Sequence, residues 1–212
     1  MPFDELRQDY QGAPLRKADC DPDPIKQFRS WFGQALGADI EMANAMSLAT
    51  VDPQGFPHSR MVLLKDADDE GLVFFTNYQS AKGGQLRACD KAALLFWWHP
   101  MTRQIRIEGH VAKVSPQESD AYFHTRPRGS NLSAMASPQS SVIASRDELE
   151  ERIERTTKDA EGQELSRPEN WGGYRLVPNL FEFWQGRADR SHDRIEYQLG
   201  AEGAWTMNRL CP

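Results

Sequence analysis

Between Ala45 and Asn77 the chain alternates short apolar runs with turn residues, reading AMSLATV, DPQG, PHSRMVLLK, DADDEG and LVFFTN in succession. Runs of this length, rich in β-branched and aromatic residues and bounded by Pro, Gly and Asp, read as strands joined by turns. DPQG suits a tight turn, with Pro at its second position and Gly at its fourth. Strand, turn, strand, longer turn, strand is the pattern of an antiparallel meander, and it predicts that this part of the chain folds as a β-sheet. KAALLFWWH and RQIRIEGHVAKV extend the series, as do GGYRLV, NLFEFWQG, RIEYQL and AWTMNRL after Trp171. Gln104, Arg106 and Glu108 alternate with Ile105 and Ile107, so one face of that strand is apolar and the other meets water, an interface or a ligand.

Helices are predicted around this sheet. Asp23 is placed to cap a helix with Pro24 at its first position, and Ile25, Phe28, Trp31, Phe32 and Leu36 then recur at spacings of three and four. SAKGGQLRAC reads as a short helix starting near Ser80, weakened by Gly83 and Gly84. SPQESDAYFHTR is capped by Ser115 and stopped by Pro127, and the highly charged SRDELEERIERTTKDAEG reads as a solvent-facing helix. RGSNLSAMASPQSSVIAS, between them, reads as a surface loop long enough to be functional. Residues 1–23 are polar, carry Pro14 and Pro22, and read as a mobile arm that orders only against something else. No repeat, heptad or flexible linker divides the remainder. The predicted architecture is mainly β (α+β): one barrel-like domain over 24–212 with flanking and inserted helices.

Composition narrows the function. A net charge of -6 over 212 residues argues against general capture of nucleic acid, while leaving room for a local basic pocket. Cys20, Cys89 and Cys211 form no CxxC pair, so no disulfide framework, zinc knuckle or other metal site is expected, and the cytoplasm fits best. MPFDELRQDY has no basic region followed by an apolar run, and no stretch nears the ~20 apolar residues of a membrane span.

Three segments carry candidate chemistry. FEFWQGRADRSHDRIEY, Phe181 to Tyr197, sets Arg187, Arg190, His192 and Arg194 beside an aromatic strand, which suits a flat, phosphorylated ligand. The competing reading is a solvated turn whose arginines are neutralised by Asp189, Asp193 and Glu196. In RMVLLK the pleat sends Arg60 and Lys65 to opposite faces, to serve different groups or simply to charge a strand edge. Thr76, Ser80 and Lys82 at a helix start can hold a phosphate, although capping alone explains Ser80. Tyr122 and Arg126 lie one helical turn apart with Ser130 beyond Pro127, either a second phosphate cradle or a stacked surface pair. No dinucleotide fingerprint, P-loop, GxSxG or HExxH is present.

RMVLLK, FFTNYQSAK, the Gln104 strand, YFHTRPRGS, SPQSS and FWQGRADRSHDR occur in the order found in pyridoxine (pyridoxamine) 5′-phosphate oxidases, which the chain resembles from about Arg7 to the terminal RLCP. The resemblance implies an FMN-binding split β-barrel, a homodimer with flavin at the subunit interface. It implies flavin contacts from Arg60, Met61, Val62, Leu63, Leu64 and Lys65, then Phe75, Thr76 and Lys82. Gln104, Gln139, Ser140, Trp184 and Arg194 complete that set. The substrate phosphate would be held by Lys65, Tyr122, Arg126 and Ser130. Arg190 and His192, the implied catalytic pair, would lie over the pyridine ring, and Arg7 to Tyr10 would cover it.

The implied reaction oxidises pyridoxine or pyridoxamine 5′-phosphate at C4′ to pyridoxal 5′-phosphate, with O2 reoxidising the flavin to give H2O2. Ala81 replaces the first residue of the family's usual basic pair, Phe75 a tyrosine, Met135 a tryptophan and Ser191 an aliphatic residue, departures that bear on flavin affinity more than on reaction type. Two alternatives use the same barrel. One is a flavin oxidase acting on a phenazine-type substrate, and the other a non-catalytic protein that holds FMN, haem or pyridoxal phosphate.

Overall fold

Helix α1 (Pro24–Gly37) begins where its cap is written. Asp23 accepts the N–H of Ile25 at 2.9 Å and of Lys26 at 3.4 Å, and Pro24 takes the first turn, where no N–H is needed. Its buried face carries Ile25, Phe28, Trp31 and Ala35, whereas Leu36, predicted to share that stripe, is 57% exposed. The computed structural model describes residues 9–212, so Arg7 lies outside the described residues.

The strands are β1 (Ala45–Val51), β2 (Pro57–Leu63), β3 (Asp66–Asp68), β4 (Gly71–Asn77), β5 (Lys91–Trp98), β6 (Arg103–Lys113), β7 (Trp171–Gln185), β8 (Asp193–Leu199) and β9 (Trp205–Leu210). They form one nine-stranded sheet in the order β2-β1-β5-β6-β7-β4-β3, with β8 on β7 and β9 on β8. Every pairing is antiparallel. The sheet curls into a split barrel flanked by helices, as predicted.

The hairpin β1–β2 closes through Asp52, which accepts from the Gln54 and Phe56 amides at 2.9 Å while Gly55 adopts φ 88°. The simple meander predicted beyond it is not what forms. DADDEG contains the short strand β3, and β4 pairs with β7 instead of β2. The reason is burial: six of the seven residues of β4 are buried, so it belongs inside the sheet between β3 and β7 rather than on a hairpin edge.

GGYRLV and NLFEFWQG, predicted as separate strands, are one continuous β7. Its first half pairs with β4 and its second half with β8, while β6 runs alongside both. The register shifts at Glu108/Gly109, opposite Pro178, which has no N–H for the ladder. A Cβ on Gly109 would sit 2.1 Å from the Val177 carbonyl oxygen, so only glycine fits there.

Inside the curl, Met46, Leu48, Leu94, Phe96, Ile105, Ile107, Phe181, Phe183, Ile195 and Tyr197 are fully buried and meet Phe28 and Trp31 of α1. Burying each such side chain stabilises the fold by about 1.5–3 kcal/mol.

The remaining helices are α2 (Ala81–Ala88), α3 (Pro116–Thr125), α4 (Arg128–Ala136) and α5 (Arg146–Asp159). Ser80 and Ser115 cap α2 and α3, and α5 buries no residue, all as predicted. The first half of the predicted loop is instead α4. No side chain caps it. Leu132 joins Phe123, Ala160, Leu165 and Trp171 in a second small core, and the buried Asn131 side chain donates to the Phe123 carbonyl. That core fixes α3 and α4 against the start of β7.

Residues 9–23 run along the body. Leu15 is buried, its N–H donates to Asp193 at 3.0 Å, Arg187 donates to the Gly12 carbonyl at 2.6 Å and Arg209 to the Leu15 carbonyl at 2.6 Å.

Candidate active site

A cavity of about 810 Å³ opens between β2, β4, α3, α4 and the start of β7. Of the predicted site residues, Met61, Val62, Leu63 and Lys65 line one side, Phe75, Thr76 and Lys82 a second, and Tyr122, Arg126, Ser130 and Gln139 a third. Lys65, Lys82 and Arg126 bring three cations, and no carboxylate lines the cavity among the described residues.

The aromatic wall is layered. Phe75 stacks on Tyr122 at 3.9 Å between ring centres, Trp171 lies parallel to both, and the Arg126 guanidinium sits 4.4 Å from the Trp171 ring centre. Trp171 was assigned no role from sequence, because nothing near it marks it as more than a strand start.

Lys82 and Thr76 both donate to the Gln139 side-chain oxygen, at 3.0 and 3.1 Å. Burial, with the charge of Arg60 adding to it, lowers the Lys82 pKa below the ordinary lysine value. A partly buried ammonium held only by neutral oxygens is placed to take an anion. Arg126 is shaped by its neighbours too, donating to the Asn131 side chain at 3.0 Å and the Ser130 carbonyl at 3.1 Å.

Three residues of the predicted set stand beside this cavity without lining it. Arg60 is engaged by its neighbours, donating to the Leu48 carbonyl, the Thr50 hydroxyl and the Gln85 side chain at 2.6–3.0 Å. Leu64 is a core residue whose N–H and carbonyl are taken up by Asn44. Ser140 is exposed, with φ 73°.

The other predicted residues gather elsewhere. Gln104, Trp184 and Arg194 are register neighbours across β6, β7 and β8, and Trp97 of β5 continues the row. His192 lies 4.6 Å from Trp184, centre to centre, and its Nδ1 accepts the Arg187 N–H at 3.1 Å. Tyr10 packs edge-on against Trp184 and His192, at 5.6 and 5.7 Å. Asp189 and Arg190 both hold left-handed backbone angles, φ 53° and 58°, in the turn before β8. Strain of this kind in non-glycine residues collects at functional sites. None of these residues lines the first cavity, so the predicted site residues fall into two separate groups on one chain.

Residues 32–158 match the family model described as "Pyridoxamine 5'-phosphate oxidase", and residues 171–212 match that of the "Pyridoxine 5'-phosphate oxidase C-terminal dimerisation region". The chain belongs to the pyridoxamine 5′-phosphate oxidase family. It is 53% identical over 208 residues to the pyridoxine/pyridoxamine 5′-phosphate oxidase of Ralstonia pickettii, covering 98% of each chain. Among solved structures, PhzG from Burkholderia lata, crystallised with tetrahydrophenazine-1-carboxylic acid, superposes with a TM-score of 0.89 at 29% identity, over 95% of this chain and 100% of that one. An FMN-binding protein of Nostoc punctiforme related to the family matches at TM-score 0.71 and 18% identity, over 87% and 97%, and shares the fold. Of the second group, Trp184, Arg190, His192 and Arg194 fall within the residues matched to the dimerisation region, whereas Tyr10, Trp97 and Gln104 lie before it.

Proposed function

We propose that this protein is an FMN-dependent oxidase that converts pyridoxine 5′-phosphate or pyridoxamine 5′-phosphate to pyridoxal 5′-phosphate, as a homodimer in which the two half-sites meet. The observation that carries the reading is the first cavity: aromatic walls with three cations and, among the described residues, no carboxylate, suited to flat phosphate esters.

FMN fits the residues present. Lys82 and Thr76 converge on one neutral acceptor oxygen, as they would on a phosphate oxygen, and Met61, Val62 and Leu63 offer apolar walls. These residues would hold it, with Gln104, Trp184 and Arg194 from the partner's second half-site completing the enclosure. Bound FMN would accept a hydride from C4′ of the substrate and pass the electrons to O2, giving H2O2.

The chain's own part is placement. Arg126, Lys65, Tyr122 and Ser130 hold the substrate phosphate, and that grip sets the position of C4′. Arg190 and His192 lie over the pyridine ring, where a guanidinium steadies developing negative charge. The Arg187 N–H, donating to His192 Nδ1, leaves Nε2 as the ring nitrogen able to carry a proton toward substrate. Tyr10 lies against this half-site as a cover that excludes water. Cytoplasmic residence suits the three cysteines, none of which is paired, and among the described residues no helix is long and apolar enough to cross a membrane.

The likeness to PhzG supports a second reading, a phenazine-type substrate. The phosphate clamp separates the two, because a substrate without phosphate leaves Arg126, Tyr122 and Ser130 idle. The test is anaerobic. Pyridoxamine 5′-phosphate should bleach the flavin bands of the purified protein, and air should restore them. A protein that takes up no FMN, or whose flavin is bleached only by a phenazine precursor, overturns the assignment.

A further inference from the structure

Glu182 is the one buried acidic residue among the described residues, and the proposed reaction does not use it. It projects from β7 between Arg106 of β6 and Glu196 of β8 in register, and its side chain is only 4% exposed. Each carboxylate oxygen has its own arginine. One accepts from Arg106 Nη2 at 2.7 Å and the other from Arg194 Nε at 2.7 Å. Arg106 is also paired with Glu108 through its other terminal nitrogen. Arg194 Nη1 is spent on the Cys211 carbonyl at 2.9 Å. Two of the three nitrogens of Arg194 are therefore fixed, and Nη2 makes no hydrogen bond among the described residues.

Stability is a poor reason for this arrangement. Desolvating a carboxylate costs several kcal/mol, roughly what its pairing returns, and apolar residues of the same volume often serve equally well. What such a carboxylate does supply is direction. A guanidinium is a rigid fork, so fixing its Nε and one terminal nitrogen fixes where the last pair of N–H bonds points. Arg194 lies in the row with Trp184 and Gln104, the half-site wall assigned to the cofactor.

We infer that Glu182 is a positioning residue: it clamps Arg194, with Arg106 as its counterweight, so that the free Nη2 is presented to the flavin. The inference rests on the reading of Arg194 as a flavin contact. It gives a role to Arg106 and Glu108, the outward residues of the β6 strand beyond Gln104. It also means that flavin affinity is set in part by a carboxylate that never touches the flavin.

The experiment is a double-mutant cycle on FMN affinity, with the full-length protein stripped of flavin and titrated by flavin fluorescence. Glu182→Gln keeps shape and removes charge; Arg194→Met removes the fork. Arg194→Met should weaken FMN binding by at least tenfold. Glu182→Gln should weaken it about tenfold when Arg194 is present and less than twofold in the Arg194→Met background. Equal losses in both backgrounds would show that Glu182 only supports the sheet and would overturn the inference, as would no loss when Arg194 is present. If Arg194→Met itself leaves FMN affinity unchanged, the flavin-contact reading of Arg194 has failed, and the inference with it, by a visibly different route. Should Glu182→Gln fail to fold, Glu182→Asp, which keeps the charge but withdraws it by one methylene, is read in the same cycle. Its loss must likewise vanish with Arg194, and a loss that persists overturns the inference.

Discussion

Removing the Asp193 carboxylate should release the N-terminal strap without unfolding the barrel. Asp193 accepts the Leu15 N–H at 3.0 Å and Arg209 at 2.6 Å, with Arg187 Nε 3.6 Å away. The Arg209 side chain is about half exposed, so its bond contributes little. The bond from a backbone amide to a mostly buried carboxylate is the larger part, and Asp193→Ala should cost the docked strap about 2 kcal/mol in all. At 1.4 kcal/mol per factor of ten, that raises the open population about thirtyfold.

Arg16 and Lys17 are exposed and follow Leu15 directly, so trypsin cleavage there reads strap opening. Asp193→Asn keeps an acceptor for the Leu15 amide while losing the charge, and should fall between wild type and Asp193→Ala. Acid should do the same to the wild-type protein. Burial raises the Asp193 pKa, but the Leu15 amide, Arg209 and Arg187 outweigh it and leave the group below its ordinary value. The contribution is thus fully present above the ordinary aspartate pKa of about 3.9 and is lost as pH falls through the lower folded value. Hydrogen exchange at the Leu15 amide follows that loss. Trypsin cleavage within twofold of wild type in Asp193→Ala would refute the reasoning, since the strap would then be held by Leu15 burial and the Arg187 and Arg209 bonds alone.

Two further outcomes follow from the cavity and its supports. Arg126→Met should raise KM for pyridoxamine 5′-phosphate at least tenfold while leaving FMN affinity within about twofold, because Arg126 is assigned to the substrate phosphate alone; steady-state kinetics and a flavin titration check it. Gly172→Ala should destabilise the fold by about 2 kcal/mol or more, because its Cβ would lie 2.1 Å from the Tyr78 hydroxyl and 2.9 Å from that of Ser119, and a thermal melt of the holoprotein reads the loss.

What was legible in the sequence was local. Asp23 with Pro24, Ser80 and Ser115 each announce a helix start within four residues, and each cap forms. Alternation placed Ile105 and Ile107 inside and Gln104, Arg106 and Glu108 on the other face. Strand order was not legible, because the choice of β7 over β2 as the partner of β4 depends on burial from both faces, which no turn sequence encodes. Helix α4 was missed for a related reason: RGSNLSAMA has no side-chain cap and little propensity, and is held by Leu132 and Asn131 packing under α3. Glu182 reads in FEF as an ordinary outward residue. That two arginines from neighbouring strands bury it appears only once the register is known.

In the proposed dimer, the division of the site follows from a single strand. Trp171, at the start of β7, forms a wall of the first cavity, and Trp184, near its end, anchors the second half-site. Thirteen residues of extended chain at ~3.3 Å each separate them by roughly 40 Å along the strand. Curling shortens that path but does not bring the two ends onto one pocket, since no residue of the second group lines the first cavity. The proposed two-fold dimer would resolve the geometry, because an isologous interface that set the second group of one copy against the cavity of the other would complete both sites at once. The matching of residues 171–212, which include Trp184, Arg190, His192 and Arg194, to a dimerisation region supports that proposal. On this reading Ala81 and Phe75 affect only the first half of a divided site, and the flavin's hold from the second half, through Trp184 and the clamped Arg194, is independent of both.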